Sequence, residues 1–357
     1  MLKSTKEDGA GAGGSTALTR LLRNSILTAL GVLLLWLAAD WLLILFAGIL
    51  LAILLRGLSV WLSTHTRLPI RWALVAVVVT ILVIAAGIVY FIAPNASQQL
   101  DQLVQQLPLG VHRIEQEIAG SSWGRSLLQE LQPGSEGHGA VRAAAGHIFG
   151  VASTTFGILA AFIVIIFVGL YLAAEPDIYV SGTIRLFPLH RRSRIIELLH
   201  QIAHTLRWWL IGRVISMTAI GIMTALGLWL IGVHLALALG ILAGLLSFVP
   251  YIGSVSSAIP AILIALTQST GSVLYVIVLY VIIHVVEGYI LMPLVQRKTV
   301  HMPPALTLSM QVVLGALLGI LGVALATPLT ASAVVAIRML YVEDVLHDRN
   351  AGKSIDG

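Results

Sequence analysis

Cysteine is absent from the 357 residues, and charge is scarce: Asp, Glu, Lys and Arg together make up 10% of the chain. The first absence excludes disulfides, thiolate metal sites and a cysteine nucleophile. The second excludes a water-soluble domain, because such domains carry about 25% charged residues. Three stretches, 143–174, 214–286 and 299–337, hold no charged side chain at all. Each exceeds the roughly 20 residues needed to cross a bilayer, so each is a span or a pair of spans. What fills the chain instead is apolar: 58% hydrophobic residues and a mean hydropathy of +0.97. The reading is an all-α, polytopic membrane helix bundle with broken or re-entrant helices and two amphipathic, non-spanning helical segments.

Enzymatic motifs are missing as well. There is no G-x-S-x-G, no P-loop and no G-x-G-x-x-G in a strand-to-helix setting, so neither hydrolase chemistry nor ATP-driven transport within this chain has support. His200 and His204 have the spacing of a zinc helix without the glutamate of H-E-x-x-H, and no metal, cofactor or catalytic residue is expected. The net charge of +5 sits in short basic clusters beside apolar runs. That placement is the footprint of the positive-inside rule and argues against a nucleic-acid partner.

The clusters organise the chain. Residues 1–23 read as a cytoplasmic tail, disordered where Gly, Ser and Ala dominate. Residues 24–94 read as a membrane hairpin, 24–55 with Asp40 near its turn, followed by a third span at 72–93. Residues 95–146 are amphipathic and acidic enough to lie outside the cytoplasm, and 147–175 cross back. Residues 176–207 carry many arginines, which place them on the cytoplasmic side, and an apolar stripe of Ile195, Ile196, Leu198, Leu199, Ile202 and Leu206, which lays them along the inner leaflet or on another subunit. Residues 208–340 form a C-terminal membrane core, and 341–357 a second cytoplasmic tail. The two amphipathic elements need apolar partners, so a homo-oligomer in the lipid bilayer is expected.

Within the core, Glu287 is the only acidic residue between Glu197 and Glu343. A carboxylate within a span costs several kcal/mol and by default marks a functional site. His284 lies one helical turn before it. The pair reads either as an ion- or proton-coupling group or as a carboxylate that caps free backbone amides at a broken helix. Such a break is written into Pro250, Tyr251, Gly253 and Ser254, whose freed backbone groups suit a polar solute or ion; the alternative is a plain interhelical turn. Pro293 and Gln296 mark a further break on the candidate solute path. Gly240 and Gly244, and Gly315 and Gly319, have the small-residue spacing of close helix packing. The glycines at 315, 319 and 322 also predict a bend in the over-long 306–340 run.

Several of these stretches resemble one known family. Leu245-Leu-Ser-Phe-Val-Pro-Tyr-Ile-Gly-Ser254 followed by Ile259-Pro-Ala261, Glu287 with Pro293-Leu-Val-Gln296, His301-Met-Pro-Pro304, and Gly319-Ile-Leu-Gly-Val-Ala-Leu-Ala-Thr-Pro-Leu329 are similar to the autoinducer-2 exporter family of bacterial permeases. The resemblance runs from the 24–55 hairpin to the last span. It implies a multi-pass protein of the bacterial inner membrane, a pentameric homo-oligomer, and export of a small polar signalling solute such as autoinducer-2, with sodium or proton exchange as the alternative cargo. The chain departs from the family's pattern at Ala173-Ala-Glu-Pro-Asp177 and at Arg213, where a Gln is common. A non-transporting membrane scaffold is a further alternative, and one that has no need of Glu287 or paired broken helices.

Overall fold

A computed structural model describes residues 37–87, 155–291 and 302–348, with a few isolated positions beside them. Every extended element among the described residues is helical. The amphipathic segment expected at 95–146, and most of both tails, lie outside the described residues. Five described helices are long and apolar enough to cross a membrane, or six if one sharply bent pair counts as a span.

Helix α1 runs over Ala39–Thr66, with Asp40 in its first turn, where a negative charge complements the helix dipole. The expected hairpin ended at Leu55; the helix instead continues through Arg56 to Thr66. Arg56 is tolerated because its Nη1 donates to the carbonyl of Ala173 across the bundle at 3.4 Å. Helix α2 (Ile70–Gly87) and helix α3 (Thr155–Ala174) pack on α1 through an apolar seam of Ala52, Leu55, Leu74, Val77 and Ala173. Glu175 precedes Pro176 and leaves helical geometry (φ −131°, ψ 61°), as a residue before proline must to avoid its ring. Helix α4 (Pro176–Arg185) therefore departs from α3 at 87°.

Helix α5 (Arg192–Ile231) is 40 residues long, about 60 Å at 1.5 Å per residue and twice the roughly 30 Å hydrocarbon thickness. The cytoplasmic segment expected to end at 207 is thus α4, a 3₁₀ turn at Leu189–Arg191 and the first half of α5, which enters the next span unbroken. No Gly or Pro interrupts it before Gly212. Most of the apolar stripe read from the sequence packs within the chain and not on the leaflet or another subunit, Ile195 and Leu198 against Val335 and Met339, and Leu206 with Trp209 and Leu210 against Leu43, Leu50 and Leu325; Ile196 is exposed. Arg194 pins the same end to the C-terminal turn, donating to Glu343 and Glu197 at 2.7 Å each and to the Met339 carbonyl at 3.0 Å.

Helices α6 (Ala236–Leu246) and α7 (Ile252–Gln268) are each short of a full span. Helix α8 (Thr270–Val286) passes into a π-helical turn at Glu287–Leu291. Helix α9 (Pro304–Ile337) contains one non-helical residue, Gly319 (φ 63°, ψ −149°), and there it folds back on itself. Gln311 Nε2 lies 3.4 Å from Thr327 Oγ1, whereas sixteen residues of straight helix would separate them by about 24 Å. A β-carbon at Gly322 would sit 2.1 Å from the Leu314 carbonyl oxygen, so only glycine lets the arms 304–318 and 320–337 close. The bend expected from these glycines is a tight helical hairpin.

Candidate functional site

The site is assembled around the break between α6 and α7. Helix α6 packs against α5 so closely that a β-carbon at Gly240 would lie 2.5 Å from Ala225 Cβ and one at Gly244 would lie 2.9 Å from the Met217 carbonyl oxygen. Past Leu246 the chain turns through Tyr251, which holds φ 64°, a conformation costing about 1–3 kcal/mol in a non-glycine residue. Gly253 closes the turn, since a β-carbon there would fall 1.9 Å from the Leu246 carbonyl oxygen.

Ending α6 inside an apolar bundle frees carbonyls that lipid cannot satisfy. Arg213 of α5 takes two of them, donating from Nε to Phe248 O at 2.9 Å and from Nη2 to Ser247 O. Gln311, on the first arm of the α9 hairpin, donates to Pro250 O at 3.2 Å. Ser247 and Gln311 are fully buried, and Arg213 keeps 4% of its surface exposed. The far side of the break is acidic. Glu287, at the start of the π turn and 8% exposed, accepts a 2.5 Å hydrogen bond from the Ser254 hydroxyl in the first turn of α7. Its Oε1 stands 4.0 Å from Arg213 Nη1.

The electrostatics follow from helix direction. A cation sits at the carbonyl end of α6 and an anion beside the amide end of α7, each opposing the local helix dipole, and the two charges also face each other. Glu287 is therefore not a lone carboxylate, and its hydrogen bond goes to a side-chain hydroxyl rather than to a backbone amide. The polar set extends through Ser257, which donates to Ser254 O at 2.9 Å, and Tyr280, which donates to Ser257 O at 3.0 Å. One acceptor is left over: Gln311 Oε1 is buried with no hydrogen-bond partner among the described residues. Chemically, the centre offers a guanidinium and an amide as donors, a carboxylate and an amide oxygen as acceptors, and a hydroxyl that is both.

The structure brings Tyr251, Gly253, Ser254 and Glu287 together around the break that also contains Pro250. His284 stays at the edge: its Nδ1 is 3.9 Å from Glu287 Oε2 and its side chain is 52% exposed, so it flanks the centre without forming a hydrogen bond to it. Pro293 is exposed just beyond the π turn, and Gln296 lies outside the described residues. Gly240 and Gly244 line the α5–α6 contact, while Gly315 and Gly319 build the α9 hairpin. Sequence reasoning missed Arg213, Gln311 and Thr327 as members of the centre. Arg213 reads as the last of a run of topology-setting arginines, although it lies five residues inside an apolar stretch; Gln311 is the only Gln in the 306–340 run and carried a signal that went unused.

Comparison with known proteins gives a consistent picture. A family model described as AI-2E family transporter matches residues 26–341. The chain is similar to the candidate transport protein YrrI of Bacillus subtilis, 29% identical over 200 residues that cover 55% of this chain and 56% of that protein. It is similar to a second Bacillus subtilis candidate transport protein, YueF, 24% identical over 66% of this chain and 60% of that one. A candidate transport protein of Synechocystis sp. aligns over 81% of this chain and 82% of its own length at 24% identity. The aligned stretch thus spans less than two thirds of the length of the two Bacillus relatives.

Proposed function

The chain belongs to the AI-2E transporter family, and from that premise we propose that it is a secondary transporter exporting a small polar solute across a bacterial inner membrane. The observation that carries the proposal is the buried Arg213–Glu287 pair set across the α6–α7 break, with Gln311 reaching in from the α9 hairpin. Burying two charges costs several kcal/mol per ion, and a scaffold would be served better by apolar packing. Charged groups kept at membrane depth mark solute, ion and proton pathways. Cytoplasmic termini, which the basic clusters support, and a homo-oligomer, a pentamer by family resemblance, are part of the same reading.

Coupling follows from the pair. A proton or cation arriving at Glu287 cancels the charge facing Arg213 and competes for the Ser254 hydroxyl, loosening the grip on both ends of the broken helix. Rearrangement of the break is then tied to ion occupancy, the logic of discontinuous helices in transporters. Autoinducer-2, a small polyhydroxylated molecule, matches a centre of two donors and two acceptors; sodium/proton exchange would use the carboxylate and the spare amide oxygen.

The experiment is flux from proteoliposomes of the purified chain loaded with autoinducer-2, or with radioactive sodium, with and without an imposed pH gradient. Saturable efflux of one cargo that responds to the gradient is expected. Efflux of both equal to that of protein-free vesicles would overturn the proposal.

A further inference from the structure

A second feature lies away from the transport centre, in the N-terminal trio. Helices α1, α2 and α3 enclose a groove of about 420 Å³ whose lining includes Arg56, Arg71, Glu175, Val75, Val79 and Leu170. Its polarity is ordered by the helices that form it. On α2 the lining residues Arg71, Leu74, Val75, Val78 and Val79 fall at i, i+3, i+4, i+7 and i+8, one continuous face, with the arginine at the start and valines at the end. On α3 the lining passes from Leu170 to Ala174, and Glu175 follows just past the helix end. Arg56 joins that end, since its Nη1 donates to Ala173 O. The groove is therefore charged at one end and apolar along its length, the pattern of a phospholipid.

Both arginines have capacity to spare. Arg56 is half-buried, and its one hydrogen bond among the described residues, at 3.4 Å, uses one of five guanidinium donors. Arg71 is exposed and has no ion pair among the described residues. Glu175 offsets one positive charge and leaves a net charge of +1, which selects an anion without demanding a multivalent one. Trp72, next to Arg71, and Trp61, near the end of α1, are 66% and 55% exposed; exposed tryptophans mark headgroup depth, so the charged end lies where phosphates of a bilayer lie.

We propose that this groove is a site for one anionic phospholipid, its phosphate held by Arg56 and Arg71 and an acyl chain laid along Val75, Val79 and Leu170. A bound lipid would tie α2 to the α1–α3 pair beside the apolar seam that includes Leu74 and Val77.

The test uses the full chain in nanodiscs of equal phosphatidylglycerol and phosphatidylcholine, read by native mass spectrometry after detergent release. The wild type is expected to retain phosphatidylglycerol over phosphatidylcholine. Arg71→Gln, at an exposed position that leaves folding unaffected, is expected to lower that retention about fivefold, the effect of one basic residue near an anionic surface. Arg56→Gln with Arg71→Gln should remove the preference. Millimolar inorganic phosphate should leave the retained lipid in place; displacement by it would reduce the site to a free-anion site and overturn the lipid assignment. Val79→Trp, which fills the apolar end while keeping both arginines, should expel the lipid. Equal retention of both lipids by the wild type, or undiminished phosphatidylglycerol in a monodisperse Arg71→Gln variant, overturns the proposal. So does a disulfide between protomers through Val79→Cys in this cysteine-free chain, since a second copy would then occupy the groove.

Discussion

The N-terminal trio α1–α3 and the C-terminal set α5–α9 are built from equally apolar sequence to opposite ends. The trio meets through an apolar seam and one hydrogen bond across it, from Arg56 to the Ala173 carbonyl; the buried polar side chain among its described residues, Ser59, donates to the Leu55 carbonyl of its own helix at 2.7 Å. The C-terminal set buries Arg213, Ser247, Ser254, Ser257, Glu287, Gln311 and Thr327; Arg213 and Gln311 donate to carbonyls at the α6–α7 break, and Ser254 donates to Glu287. In a bilayer an unbroken helix satisfies its own backbone, so a break survives only where side chains replace the lost hydrogen bonds. Polar burial and helix interruption coincide around the α6–α7 break, which is the proposed transport centre.

The sharpest way to break the comparison is with a methyl group. Gly253→Ala places a carbon 1.9 Å from a backbone oxygen, and the α6–α7 turn cannot yield without moving Arg213 and Glu287. Loss of monodisperse protein is expected, a destabilisation of about 3 kcal/mol or more, read by size-exclusion chromatography and thermal unfolding in detergent. Gly87→Ala in the trio meets nothing within 4 Å and should be neutral or stabilising by up to about 1 kcal/mol. Equal damage from both would erase the distinction.

Next in size is Arg213→Leu, which strands Glu287 and two carbonyls and should cost about 3–5 kcal/mol. Arg213→Leu combined with Glu287→Leu should recover part of that loss, because the remaining defect is then uncharged; a double variant as unstable as the sum of the singles would mean that the 4.0 Å pair contributes nothing. Gln311→Leu leaves Pro250 O and Thr327 without their amide partner and should cost about 1–3 kcal/mol. The smallest effect is expected at Arg194, outside the membrane core, whose guanidinium pKa is raised by its hydrogen bonds to Glu343 first and then Glu197 and Asp344. Arg194→Ala should cost about 1 kcal/mol or less, and the difference from wild type should shrink at high salt.

Much of this architecture was legible in the residues. Charge-free runs gave the spans, Pro250 to Ser254 gave the α6–α7 break, and glycines 315, 319 and 322 gave the α9 hairpin, because each signal is local. Two boundaries were not. Leu55 was read as a helix end because Arg56 follows, yet the charge is accepted by Ala173, 117 residues away in sequence. Arg192–Ile231 was read as two elements because its polarity changes midway, but a change of surroundings along a helix does not interrupt its hydrogen bonding. The centre itself was half visible. Glu287 stands out as a lone acid, whereas its partner Arg213 hides among arginines that set topology, and Gln311 reaches Pro250 from 61 residues on.

In the proposed mechanism Glu287 couples ion occupancy to the α6–α7 break. The direct measurement is solute efflux from proteoliposomes containing Glu287→Gln, compared with wild type across an imposed pH gradient, after equal folding and assembly are established. Glutamine keeps the shape and an acceptor for the Ser254 hydroxyl while removing the charge that faces Arg213. The variant is expected to fold, and its efflux to lose its response to the gradient. Gradient-driven efflux at the wild-type rate would contradict the mechanism.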